Sequence, residues 1–144
     1  MEKKLSDIFN NTKFITVSTV RENGEPWATP IGWFAFDGKN IVFDNRAGTI
    51  HADNLARDGR CFVTIVNYDE EHPCAIYIAT HAKKLLGDDY ERAKQAIIDR
   101  GLSVDDDVFA APVGVIDEDK SNFSERSDGS LRFYAYMKCD EGEE

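Results

Sequence analysis

Hydrophobic and polar residues alternate along several short segments of this chain, which is the pattern of half-buried β-strands. The predicted strands cover residues 14–20, 27–36, 40–44, 61–68, 74–86, 109–116 and 131–138. Asn23-Gly24 separates the first two and is a strong hairpin signal, and Asp37-Gly38 marks the next turn. The pattern therefore predicts strands joined mainly by hairpins.

Three details refine the strand prediction. Residues 61–68 are apolar enough to predict burial on both faces. Pro112 lacks a backbone N–H and predicts an edge position for residues 109–116. Residues 121–130 are polar and predict a loop.

Helical spacing of apolar residues predicts two or three short helices. Residues 3–9 form a short amphipathic helix in this interpretation. A second helix covers residues 49–58 and ends at Gly59, a common residue after a helix C-terminus. A third begins with Asp88 as its cap and Glu91 three residues later, and it ends at Gly101. Its apolar face consists of Tyr90, Ala93 and Ile97.

These elements predict one mainly β domain over residues 1–138, with residues 139–144 as a disordered acidic tail. Six or so antiparallel strands in hairpin order favour a small β-barrel with flanking helices, because closure removes exposed sheet edges.

Composition excludes several classes of function. The formal net charge is -10, and no basic patch is present that could bind nucleic acid. No apolar run reaches the roughly 20 residues of a membrane helix. The N-terminus lacks an apolar signal core, so we expect a cytoplasmic protein. The three cysteines and three histidines lack the spacing of a metal site, and we predict none.

Residues 41–49 predict a site for an anion. A short strand ends at Asp44, a polar loop follows, and a helix begins at Thr49. The first N–H groups of a helix lack internal partners and lie at the positive end of its dipole. Arg46 and His51 can add positive charge. The alternative is that Thr49 is an ordinary N-cap.

Three segments together resemble the pyridoxamine 5'-phosphate oxidase-like family, the FMN-binding split barrels. The opening hairpin is FITVSTVRENGEPWATPIGWFAFDGKNIVFDN, and the following segment TIHADNLARD matches the family signature with Thr49, His51, Asn54 and Leu55. The strand pair CFVTIVNY and AIYIATHAKKL completes the likeness, which covers about residues 10–86.

The resemblance implies a split barrel and a homodimer with FMN at the subunit interface. Residues 29–34 would lie along the flavin ring, while the loop and helix start would hold the ribityl chain and phosphate. The implied cofactor-binding residues are Thr29, Pro30, Ile31, Gly32, Trp33, Asp44, Asn45, Arg46, Thr49 and His51.

The chain departs from pyridoxamine phosphate oxidases proper. Thr49-Ile50-His51 replaces their Ser-Arg-Lys, and Thr29 and Phe34 stand where they carry Arg and Lys. The resemblance thus implies a flavin-dependent oxidoreductase with another small-molecule substrate or electron donor. No spacing of residues indicates a catalytic acid, base or nucleophile, which suits chemistry carried by the flavin.

Alternatives remain at this stage. Trp33 and Trp27 fit either a core or dimer interface, or stacking near a flavin. Pro30 and Gly32 indicate a bulge or a close approach to a flat ring. The protein could hold flavin or haem without turnover, with His51 or His81 as the iron ligand, or use a deazaflavin. Residues 102–130 could form a lid.

Overall fold

The computed structural model describes residues 8–67, 74–113, 122–125 and 131–138. Within them the chain forms ten strands, which are β1 (Ile15–Val20), β2 (Pro26–Ile31), β3 (Phe34–Phe36), β4 (Asn40–Asp44), β5 (Arg60–Asn67), β6 (Cys74–His81), β7 (Lys83–Lys84), β8 (Val108–Pro112), β9 (Asn122–Glu125) and β10 (Leu131–Lys138). Residues 8–10 are helical, and the helices with described bounds are α1 (Ile50–Arg57) and α2 (Gly87–Ile98). Most of the predicted opening helix and the acidic tail lie outside the described residues.

The strands form two sheets, in the orders β2-β1-β5-β6-β10-β9 and β3-β4-β8-β7. This confirms the mainly β fold, although strands are more numerous than expected. One pairing also departs from the antiparallel expectation: β10 runs parallel to β6. No hairpin joins these two strands, so no tight turn forces them to be antiparallel.

Two of the predicted strands are each divided between the sheets. Residues 27–36 form β2 in one sheet and β3 in the other, with the break at Gly32 and Trp33. Residues 74–86 likewise break at Ala82, between β6 and β7. The alternation of side chains does not reveal such a break, because a strand that bends into a second sheet stays half buried on both sides of the bend.

Gly59 has a different role from the one predicted. It is not among the glycines with positive φ, and the C-cap of α1 is Asp58 in extended geometry. A Cβ at Gly59 would lie 2.6 Å from the carbonyl oxygen of Ala82. The glycine therefore allows the start of β5 to pass close to the break between β6 and β7.

The two helix predictions differ in accuracy at their first residues. The predicted boundaries of α1 agree with the structure, and Thr49 is its N-cap. The prediction of Asp88 as the cap of α2 is wrong, because α2 already begins at Gly87 and Leu86 is its N-cap. Gly87 has φ +59°, which a residue with a side chain rarely adopts.

The predicted environments of β5 and β8 need correction. Val66 is 62 % exposed, so β5 is not buried on both faces. β8 lies between β4 and β7 and is not an edge strand. Pro112 is its last residue, beyond the partners of β7, so the missing N–H breaks no bond to that strand. The predicted polar loop over residues 121–130 contains β9.

The main core lies between the two sheets. The six-stranded sheet contributes Ile15, Val17, Val63, Ile65, Ile76 and Ile78, and the other contributes Phe34, Ile41, Phe43, Phe109 and Ala111. On the opposite face of β4, Val42 packs with Ala93 and Ile97 of α2, which confirms the predicted apolar face of this helix. β4 is therefore buried on both faces, and its C-terminal end is held firmly where the candidate site begins. None of the described helices has the length and apolarity needed to cross a membrane.

Candidate functional site

A cleft of about 150 Å³ lies where β2 and β4 end and α1 begins. Its lining consists of Pro30, Ile31, Trp33, Asp44, Arg46, Thr49 and His51. All seven were predicted from the sequence as cofactor-binding residues. Backbone contacts fix the cleft, because the N–H of Asp44 donates to the carbonyl of Trp33 at 2.9 Å and that of Asn45 to Asp107 at 2.8 Å.

Arg46 and Trp33 form one wall of the cleft together. The guanidinium carbon of Arg46 lies 5.3 Å from the centre of the Trp33 ring, within the range of a cation–π contact. Trp33 is 42 % exposed. The indole therefore holds a cation at the solvent-facing edge of the cleft.

Thr49 caps α1. Its hydroxyl oxygen accepts from the N–H of Ala52 at 3.3 Å, and its hydroxyl proton goes to the carbonyl of Arg46 at 2.7 Å. The cap interpretation is thus the one the structure shows. The N–H groups of Ile50 and His51 have no acceptor within the helix, so a ligand anion can bind to them.

His51 is buried and contributes little charge. Burial lowers the pKa of its imidazole below the usual value, so the ring is neutral near pH 7. Its Nε2 lies 3.4 Å from the hydroxyl oxygen of Thr49. Among the residues that line the cleft, Arg46 is therefore the cation at neutral pH.

Asp44 places a carboxylate in the same cleft. The residue is 7 % exposed, and within the described part of the chain its Oδ1 has no hydrogen-bond partner. Burial raises its pKa, and the nearby charges of Asp106 and Asp105 act in the same direction. A backbone hydrogen bond from Asp105 and the charge of Arg46 oppose this rise. Asn45, beside it, also has a buried and unpartnered Oδ1 among the described residues.

The other predicted residues lie near the cleft but do not line it. Asn45 is buried next to Asp44 in sequence, and Thr29 is partly exposed on β2 opposite Val17. Gly32 packs against the ring of Phe14, because a Cβ added to Gly32 would lie 3.4 Å from that ring. His81 is on β6 and is not part of the lining.

Two features of the cleft were not predicted. The contact between Arg46 and Trp33 joins residues that are distant in sequence, and no local pattern indicates it. The burial of Asp44 could have been inferred from its position at the end of an apolar strand. That position is the signal that the sequence offered.

A larger cleft, of about 530 Å³, lies between α2 and the strands β4 and β8. Both carboxylates in its lining already have partners. The Asp37 carboxylate accepts from the backbone N–H groups of Lys39 and Asn40 at 2.9 and 2.6 Å, and Asp89 pairs with Arg92. We therefore take the smaller cleft, which has the unpartnered Oδ1 of Asp44 in its lining, as the candidate site.

The fold is that of a split barrel, and comparison of the sequence with protein families agrees. The model of the pyridoxamine 5'-phosphate oxidase family matches residues 1–106. The chain belongs to this family. The match extends further in both directions than the resemblance seen in residues 10–86. No curated protein sequence matches the chain.

Solved structures share the fold at low sequence identity. HupZ of Group A Streptococcus is 21 % identical, with a TM-score of 0.65 over 78 % of this chain and 88 % of that one. A heme binding protein from Mycobacterium smegmatis is 23 % identical, with a TM-score of 0.63 over 76 % of this chain and 50 % of that one. A protein of Listeria innocua named after pyridoxamine 5'-phosphate oxidase is 18 % identical, with a TM-score of 0.61 over 78 % and 94 %.

Proposed function

We propose that this protein is a cytoplasmic FMN-binding flavoprotein that acts as a flavin-dependent oxidoreductase on a small-molecule substrate or electron donor. The observation that carries the proposal is the content of the small cleft. It combines free N–H groups at the start of α1, the cation of Arg46 and the end of strand β2.

The residues present fit FMN. Arg46 and the first N–H groups of α1 would hold the phosphate. The buried and unpartnered Oδ1 of Asp44 lies in the same lining, where a polar group of the ligand would give it a hydrogen-bond partner and remove the cost of leaving it unsatisfied. The segment from Pro30 to Trp33 would lie along the ring. When bound, the flavin supplies the electron-transfer chemistry.

Further features of the chain support a task other than oxidation of pyridoxamine phosphate. Ile50 and the neutral His51 stand where the family resemblance places Arg and Lys, so the site has fewer cations than a pyridoxamine phosphate oxidase. Phe34 replaces a second cation and is buried in the core. A dianionic substrate would find little positive charge here besides Arg46.

The size of the cleft supports a homodimer. Cofactor sites typically enclose about 300–1,000 Å³, whereas this cleft encloses about 150 Å³. A partner subunit would supply the remaining walls. Val66, on the outer face of the six-stranded sheet, and Phe14, directly before β1, are each 62 % exposed and suit such a contact.

The first experiment is a visible absorption spectrum of the purified protein, taken before and after incubation with FMN and gel filtration. Retained flavin bands at one FMN per chain, eluting at the dimer volume, are the expected result. Oxidation of a reduced nicotinamide by the loaded protein then distinguishes a reductase from a passive binder. A protein that releases all FMN would contradict the proposal.

Haem is the second candidate ligand, and one residue favours it. His51 is buried in the cleft with a neutral imidazole, the form that ligates iron. The heme binding protein of Mycobacterium smegmatis shares this fold. A Soret band that is lost in His51→Ala would support haem. A deazaflavin would be recognised in the same spectrum by its shorter-wavelength absorption.

A further inference from the structure

The candidate cleft contains a carboxylate where its proposed ligand carries a phosphate. We propose that Asp44 is a specificity-determining residue that takes up a proton when a phosphorylated flavin binds, so that affinity for this ligand rises as the pH falls. The inference rests on the proposed function and adds to it a linkage between ligand and proton.

Hydrogen-bond chemistry gives the first reason. An ionised carboxylate and a phosphate oxygen are both acceptors and cannot bond to each other. Oδ1 of Asp44 is buried, has no partner among the described residues and belongs to a residue that lines the cleft. A proton on this carboxyl provides a donor, and the proton comes from solvent.

Charge balance gives the second reason. Arg46 faces Asp44 from the loop before α1, while Asp105 and Asp106 face it from the segment before β8. His51 on α1 is buried in its neutral form. With Asp44 ionised, its charge cancels that of Arg46, and the field of the two further aspartates opposes a phosphate. Protonation of Asp44 restores the positive balance.

The direction of the pH dependence follows from this balance. Burial raises the pKa of Asp44 above its ordinary 3.8. Phosphate raises it further on binding, since a second negative charge disfavours the ionised form. Affinity is therefore highest below the pKa of the free protein and falls as the pH rises above it.

Two other groups also change their charge in this pH range, and variants separate them. The phosphate of FMN gains its second charge near pH 6, an effect that Asp44→Asn retains. His51 gains a positive charge at low pH, an effect that His51→Gln removes. The pH dependence that belongs to Asp44 is the part present in the wild type and in His51→Gln but absent from Asp44→Asn.

The experiment is a titration of FMN and of riboflavin, followed by flavin fluorescence, at several pH values from 5 to 8. Between pH 5 and pH 8 we expect the FMN Kd to rise in the wild type by a factor about ten times larger than in Asp44→Asn. This difference is the equivalent of one pKa unit. Riboflavin, which has no phosphate, should show no such difference. Calorimetry in buffers with different ionisation enthalpies should show proton uptake on FMN binding only when Asp44 is present.

Controls keep the outcomes distinct. Asp37→Asn changes an exposed aspartate away from the cleft and should behave as the wild type. Asp44→Thr, which keeps a hydroxyl donor, serves as a second variant, with circular dichroism to confirm that both variants fold. Equal pH dependence in the wild type and both Asp44 variants would overturn the inference while FMN binding itself stands. Failure of FMN to bind at any pH would overturn the proposed function as well.

Discussion

The helices α1 and α2 begin in opposite ways. α1 has a side-chain cap, and its first turn opens on the cleft. α2 has no side-chain cap, and its N-cap residue Leu86 is 70 % exposed. Asp88 and Asp89 lie in the first turn of α2, where they compensate the positive end of the helix dipole.

This difference shows what a helix start needs if it is to bind an anion. α2 supplies its own carboxylates, and Arg92 pairs with one of them, Asp89. α1 carries a single acid in its first turn, Asp53, while Arg46 remains stacked on an aromatic ring at the entrance.

Truncation of the buried face of α2 should affect stability alone. Ile97 is fully buried against β4, so Ile97→Ala is expected to lower the free energy of unfolding by about 2–5 kcal/mol. Denaturant unfolding measures this loss. FMN affinity of the folded variant should stay within twofold of the wild type, and a larger change would mean that α2 also shapes the cleft.

Removal of the cation at the cleft should affect ligand binding. Hydrogen bonds to charged groups contribute about 1.5–3 kcal/mol, so Arg46→Ala is expected to weaken FMN binding about 10- to 100-fold. Arg92→Ala is the matched control at the start of α2. Equal losses in the two variants, in a fluorescence titration, would refute the contrast between the helix starts.

A buried amide attaches α1 to the sheet. Nδ2 of Asn54 donates to the hydroxyl oxygen of Thr19 at 2.9 Å. Asn54→Ala leaves the Thr19 hydroxyl unsatisfied and should lower stability by about 1–3 kcal/mol. The control is Gln95→Ala on α2, which removes an exposed amide that donates to the carboxylate of Asp99 at the end of the same helix. It should change stability by less than about 0.5 kcal/mol. Similar thermal unfolding of both variants would speak against this role of Asn54.

The caps should give the smallest effects, with opposite signs. Thr49→Ala is expected to lower the free energy of unfolding by about 1 kcal/mol, because the N–H of Ala52 loses its acceptor. Leu86→Ser should add a cap to α2 and raise stability by up to about 1 kcal/mol. Loss of stability in Leu86→Ser would show that Leu86 contributes packing despite its exposure.

Local patterns predicted local structure well. β4 and the boundaries of α1 agree with the expectation because strand alternation, a cap residue and a turn all lie within a few residues of one another. Of the seven residues that line the cleft, Arg46, Thr49 and His51 were predicted from the order of strand, loop and helix start. The other four were implied by the family resemblance. None of this required knowledge of distant contacts.

Features that depend on distant contacts were missed. The breaks at Gly32 and Ala82 depend on the second sheet, which local alternation does not encode. The parallel pairing of β10 with β6 joins residues that are far apart in sequence, such as Cys74 and Phe133. The stacking of Arg46 on Trp33 and the unpartnered oxygen of Asp44 likewise follow from tertiary packing.

The breaks at Gly32 and Ala82 also bear on how the protein unfolds. At each of them one continuous segment leaves one sheet and enters the other within one or two residues. Neither sheet can separate without pulling on strands of its neighbour, and both cover the same core. The sheets should therefore melt in a single cooperative transition, and amide hydrogens in β1 and β4 should exchange with similar opening free energies.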